Sequence, residues 1–554
     1  MSTRTIKKLG MVRRTSRIIP LSGLWGDLPA PAGLTVLGIV AGVLASLPAI
    51  LVVSTALNGS FQLLQRLLQT KILYLLLNTL ALMVAVTTVT VVISLLLAFL
   101  IVRTDLPGKR VWHHLMAVPL AIPPYIGSFA YISLIGPTGT ATNLLKQTFG
   151  LSMEQIPSIY SFGGATVILS LFTFPYVYLL VNPALSSLAG RWEEVGRSCG
   201  LSAGEVFLKV TLPLLKPSIG AGSLLVGLYV LSDFGAVSML RFDTFSSAIY
   251  LQLIGRYDKV AASVLASVLV ALTLFLIIFE QRIKGKSKYY QFGSSYTRPQ
   301  EIQLGAWRYP ALGLVLLVLL AGVATPLAML TYWAVIGITK GAINGDFWSY
   351  TFHSLLSGAM AATTAMFLAL VIAYLNNRHR GPLSHLVNGM AHAGYALPGV
   401  VVALGFILVA NNYIPALYGT LWVLLAAYVV RFLPQGIQAG NSGMAQVPPQ
   451  LEEAGRLAGY SYWGSFIKVT VPLVHKGLLA GWALIFLNIL KELPVTLLLR
   501  PVGFDTLPVR VWIEASEGFF YLGAPGALLL VMVSMIPLVL LTENGGRKDH
   551  VSGS

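Results

Sequence analysis

Charge is what this sequence has least of. Asp, Glu, Lys and Arg make up only 10% of its 554 residues, where a soluble globular chain carries about 25%. With 56% hydrophobic residues and a mean hydropathy of +0.77, too few charged side chains remain to coat a soluble body of any fold. An all-α polytopic membrane protein is expected. Cysteine is nearly missing too: the single Cys199 excludes an intrachain disulfide and any Cys-based zinc or iron–sulfur site. No GxxxxGK[ST] loop occurs, so the chain does not cradle nucleotide phosphates in that manner. Acidic residues are scarcer than basic ones, 20 against 37, for a net charge of +17. In a soluble protein that excess would point to nucleic acid, but in a membrane protein the positive-inside bias produces it without a polyanion. No nucleic-acid partner is expected, and the lipid bilayer is.

A helix needs about 20 apolar residues to cross hydrocarbon, and about 12 such segments are found: 34–57, 73–102, 115–135, 163–182, 218–240, 260–279, 311–336, 353–375, 386–410, 418–437, 474–499 and 523–542. The third and ninth carry internal prolines (Pro119, Pro123, Pro124; Pro398), tolerated only where neighbours or water satisfy the freed carbonyls. Both should be buried in the bundle. Lys and Arg cluster in alternate loops, at Arg103, Lys109 and Arg110, at Arg191 and Arg197, at Arg282, Lys284, Lys286 and Lys288, and at Arg378 and Arg380. With the basic N-terminal tail they place both termini in the cytoplasm. The apolar run after that tail is too long for a signal-peptide core and reads as a retained first span.

The chain also repeats itself. EEVGRSCGLSAGEVFLKVTLPLLKPSIGAG from Glu193 matches EEAGRLAGYSYWGSFIKVTVPLVHKGLLAG from Glu452 at an offset of 259 residues without a gap. SDFGAVSMLRFDT from Ser232 and KELPVTLLLRPVGFDT from Lys491 extend the match. Six spans fit in one period, an even number, so the copies face the same way: two parallel six-span repeats. The expected organisation is a basic tail (1–33), a first repeat (34–280), a cytoplasmic linker (281–310), a second repeat (311–542) and a cytoplasmic C-terminal tail (543–554).

The repeated loop lies between the fourth and fifth spans of each half. Pro448 and Pro449 can open a short helix, with Glu452 and Glu453 in its early turns and Gly459 as the C′ residue that stops it. Ser202 and Glu205 have capping-box spacing, and Pro213 and Pro472 are read as ending the second arm before the next span. Gly196 and Gly200, like Gly455 and Gly459, are four apart. That leaves one bare helix face, a docking surface for a partner.

This pattern resembles the signature of ATP-binding-cassette importer permeases, Glu-Ala-Ala, three residues, Gly, nine residues, Ile-x-Leu-Pro. Here it reads Glu194-Val195-Gly196, Gly200 and Val210-Thr211-Leu212-Pro213, then Glu453-Ala454-Gly455, Gly459 and Val469-Thr470-Val471-Pro472. Gly replaces the second Ala in both copies, Val195 the first Ala in one, and Val stands for Ile. The resemblance implies a type I importer permease fold in a bacterial inner membrane. It also implies that Glu193, Glu194, Gly196, Gly200 and Pro213, with Glu452, Glu453, Gly455, Gly459 and Pro472, couple the chain to two copies of a separate cytoplasmic ATPase that uses the ATP. The chain itself would be no enzyme and bind no cofactor. The fused layout, AGYALPGVVVALG around Pro398, LSDFGAV from Leu231 and KELPVTLLLRPVGFDT from Lys491 are similar to iron(III) importer permeases, which implies a periplasmic iron-binding protein as further partner. Thiamine importer permeases share much of the pattern.

Asp233 and Glu492 occupy equivalent positions in the fifth spans, where an unpaired carboxylate is costly. Either they line the pathway and favour a cation, or they lock helices, with Lys491, Arg500 or Arg241 as partners. Glu492, beside Lys491 and just before Pro494, is the better candidate for a water-exposed segment. Iron(III) prefers oxygen ligands, so transient carboxylate contact suits it. No metal site is expected: His113, His114, His379, His385 and His475 lie in or beside basic loops, and His353 and His392 are read as hydrogen-bonding between helices. An ion-coupled secondary carrier protonated at Asp233 and Glu492 is the competing mechanism. An intramembrane enzyme is disfavoured by the lack of clustered His, Ser or Asp at catalytic spacing.

Overall fold

The computed structural model describes residues 32–150, 152–188, 195–284, 301–379 and 381–549. Glu193 and Glu194, Arg191, Lys286, Lys288, Arg380, and most of the N-terminal tail and the linker lie outside the described residues. Nearly everything described is helix, with one isolated bridge between Thr104 and Ile302.

Nine helices among the described residues are long and apolar enough to cross a membrane. Eight of the twelve expected segments form a continuous helix, although in the last, Phe520–Asp549, the apolar part described ends at Ile536. Two more, 218–240 and 474–499, stop short at Ser232 and Leu490, and a short helix follows each, Gly235–Met239 and Pro494–Leu499. The third and ninth segments depart most from a continuous span. In the first half, Lys109–Ala121 and Pro124–Phe149 meet at 90°. In the second, Pro382–His392 is separated from Gly399–Tyr413 by the turn Ala393–Ala396.

The cause is local and the same in both. A residue before proline is pushed out of the α region, and Ile122 (φ −94°, ψ 108°) and Leu397 (φ −93°, ψ 122°) are both extended. Pro123 and Pro398 then start a new helix, each after a 3₁₀ turn. As expected for irregular backbone at membrane depth, the restarted helices are buried: Ile126, Phe129, Val400 and Leu404 are inaccessible.

The two halves exchange their first spans. Ala32–Leu57 packs against Pro382–His392 and Gly399–Tyr413 of the second half. Gly405 there lies so close to the first span that a Cβ would sit 2.5 Å from that of Pro48. Reciprocally, Thr325–Thr339 packs against Pro124–Ile135 of the first half. The Tyr131 hydroxyl donates to the Ala321 carbonyl at 2.7 Å. Each broken helix is therefore sheltered by the opposite half, and neither half is a closed unit.

Candidate functional site

The second elbow forms from the residues expected. Pro449–Leu457 starts after Pro448 and ends at Gly459, whose φ of +91° only glycine adopts freely. In the first half Gly200 has φ +83°, and the Ser202 amide donates to Glu205 Oε2 at 3.0 Å in the expected capping arrangement. Two expectations need correction. Pro213 and Pro472 do not end the second arm, since Gly204–Ser232 and Tyr462–Leu490 run unbroken from elbow into membrane. Each proline follows a π-helical turn, Phe207–Thr211 or Phe466–Thr470. That wider turn accommodates a ring that would otherwise clash with the carbonyl four residues back. Pro326 after Leu320–Ala324 repeats the device.

The bare glycine face is the second correction. Gly455 is buried against its own following arm, and a Cβ there would lie 3.0 Å from Ser465 Oγ and 3.2 Å from Val469 Cγ2. Gly196 similarly faces Val206 at 3.1 Å. The inner glycines thus close the elbow on itself, while Gly200 and Gly459 face open space.

Glu452 and Glu453 divide in the same way. Glu453 is exposed, whereas Glu452 is only 3% exposed. Its carboxylate takes Arg378 Nε at 2.9 Å and the Tyr374 hydroxyl at 3.0 Å. Arg378 also donates to the Val447 carbonyl at 2.8 Å. The elbow is thereby riveted to the end of the span Gly345–Arg378, a link that the sequence signature gave no means of finding.

Between the halves lies a cavity of about 550 Å³. Its wall is built from positions 259 residues apart: Phe172 and Arg431, Tyr176 and Gln435, Tyr229 and Asn488, Asp233 and Glu492. Both breaks, at Pro123 and Pro398, also reach it. Asp233 and Glu492 thus share one cavity, but neither is inside a span helix. Leu212–Ser232 and Val471–Leu490 end just before them, and each carboxylate caps the short helix that follows. Asp233 Oδ1 accepts from the Ala236 and Val237 amides at 3.1 Å each, and Glu492 Oε1 accepts from the Val495 amide at 3.4 Å. Backbone donors left orphaned at a helix start explain why a carboxylate stands there.

Their charged partners also differ from expectation. Glu492 pairs with Arg431, not with Lys491 or Arg500; Arg500 pairs with Asp505, and Arg241 lies over the Tyr160 ring. Arg431 could have been found, as a lone cation within the apolar segment 418–437. Gly399 packs directly on the pair, since a Cβ would stand 2.7 Å from Arg431 Nη1 and 2.8 Å from Glu492 Oε1. Among the described residues no group of three His, Cys, Asp or Glu could hold a metal. His353 bonds across to the Asp505 carbonyl at 3.0 Å, but among the described residues His392 bonds within its own helix, to the Asn388 carbonyl.

Two parallel repeats, each with an elbow, around a shared membrane cavity define a permease. The chain belongs to the family of binding-protein-dependent transport system inner membrane components, which it matches over residues 107–284 and 365–544. It is thus an inner-membrane permease of an importer class that works with an ATPase and a periplasmic binding protein. It is 31% identical over 518 residues, 93% of this chain and 98% of the relative, to "Fe(3+)-transport system permease protein FbpB 2" of Haemophilus influenzae. "Ferric transport system permease protein FbpB" of Actinobacillus pleuropneumoniae is 25% identical over 76% of this chain and 64% of its own length. "Thiamine transport system permease protein ThiP" of Escherichia coli is 21% identical over 82% of this chain and 86% of its own.

Proposed function

We propose that the chain carries iron(III) from periplasm to cytoplasm through the cavity between its halves, driven by two copies of a cytoplasmic ATPase, one on each elbow. Both termini lie in the cytoplasm. The observation that carries this reading is a cavity lined by Asp233 and Glu492, in a chain similar over 93% of its length to an Fe(3+)-transport system permease. Oxygen donors suit a hard trivalent ion. Because the two carboxylates are already engaged by backbone amides and Arg431, they offer weak contact, as a path requires.

Exposed Gly200, Gly459 and Glu453 present the outer side of the elbows to the ATPases. The basic loops support the orientation, since Arg378 is bound into the second elbow and Leu34, at the start of the first span, packs beside Tyr374 there. The test is uptake of radioactive iron(III) by cells carrying the chain with its own ATPase and binding protein. ATP depletion should abolish it; uptake that persists on a proton gradient alone would favour a secondary carrier. Labelled thiamine in the same cells tests the substrate suggested by the thiamine permease.

A further inference from the structure

Four charged side chains line the cavity: Asp233, Glu492, Arg431 and Lys491. Three are accounted for. Glu492 and Arg431 neutralise one another at 3.1 Å, and two backbone amides hold Asp233. The Lys491 ammonium has no hydrogen-bond or ion-pair partner among the described residues, its backbone amide alone being bonded, to the Asn488 carbonyl. An ammonium at membrane depth without a counter-charge is costly, and the repeat does not demand it, since the equivalent position of the first half is Ser232. Lys491 is part of the cavity wall, whereas the unpartnered hydroxyl of Tyr125, 5% exposed, is closed off beneath that wall. An unpaired cation on the cavity surface suits an oxyanion and opposes a bare metal cation.

We infer that Lys491 receives an anionic oxygen group, carboxylate or phosphate, of the solute that passes through the cavity. This rests on the importer reading above. With iron(III) as cargo, the metal enters with an oxyanion still coordinated, its positive centre toward Asp233 and its anionic ligand toward Lys491. The same chemistry would serve a metal-free organic anion.

The test uses the complete transporter in cells, with four probes: radioactive iron(III) supplied with labelled citrate, radioactive iron(III) supplied with labelled phosphate, and each labelled anion without iron. Label from the anion should enter with iron in a fixed ratio. Lys491→Met should lower uptake about tenfold or more at unchanged membrane level, the loss expected for one charge-assisted hydrogen bond. Lys491→Arg should restore most of it. If Lys491→Met fails to insert, Lys491→Ser, the residue of the first half, takes its place. Uptake of citrate or phosphate without iron would identify the free anion as the source of the group. Iron entering with no accompanying anion, or undiminished in Lys491→Met, would overturn the inference while leaving the importer intact. Absence of ATP-dependent uptake in the unaltered transporter would instead remove the reading beneath it.

Discussion

Arg431 Nε lies 3.1 Å from Glu492 Oε2 on the wall of the shared cavity, and 259 residues earlier Phe172 stands where Arg431 does. The repeat therefore keeps two carboxylates but gives a cationic partner to only one. Asp233 is held instead by the amides of the helix it caps. One duplication has produced a wall whose two sides differ electrostatically.

That asymmetry predicts opposite outcomes for two similar substitutions. Glu492→Gln leaves Arg431 uncompensated, at about 3–5 kcal/mol for a buried pair broken on one side. A lower melting temperature in detergent and less inserted protein are expected. Asp233→Asn keeps an oxygen for the Ala236 and Val237 amides, so the protein should insert normally while iron uptake falls. Full uptake by Asp233→Asn would sink its pathway role.

Neighbouring glutamates of the second elbow should also separate. Glu452→Ala leaves Arg378 buried without its anion and should cost about 3–5 kcal/mol, read as a drop in melting temperature. Glu453→Ala, on an exposed side, should change stability by less than about 0.5 kcal/mol. Its effect should be on ATP-driven uptake alone, and an unchanged transport rate would free Glu453 of a coupling role.

Gly459 has a left-handed backbone and open space around it. Gly459→Ala should cost about 1–2 kcal/mol from conformation alone. Gly459→Trp should still insert, because nothing in the chain stands in its way, yet lose uptake if an ATPase docks there. Normal ATP hydrolysis and uptake in Gly459→Trp would rule docking out for that copy.

Sidedness can be read with cysteine labels in a background where exposed Cys199 is replaced by serine. Cysteines at Gln147 and Ser516, both exposed, should react with impermeant reagent in intact cells, and one at Ser442 should not. Thr142, in the same loop helix as Gln147, is 1% exposed and unsuitable. Protection at Gln147 together with reaction at Ser442 would invert the assigned orientation.

The membrane class, the parallel duplication and the two elbows are legible in the order of the residues, because each rests on local physics. Apolar length sets what crosses hydrocarbon, Gly200 and Gly459 set where a helix turns, and a gapless offset of 259 sets the repeat. The same order also marked the third and ninth segments as irregular, since proline acts on the residue beside it. Whatever depends on residues far apart in the chain becomes visible in the folded bundle. Pairing of Arg431 with Glu492 and of Arg378 with Glu452 joins positions 61 and 74 residues apart. No periodicity encodes such pairs, and the nearest charges in sequence, Lys491 and Arg500, were misleading partners. The same holds for the inward-facing Gly455 and for the exchange of first spans between halves. Burial and partner choice are properties of the assembled bundle, where desolvation makes each charge seek whichever group the packing brings within reach.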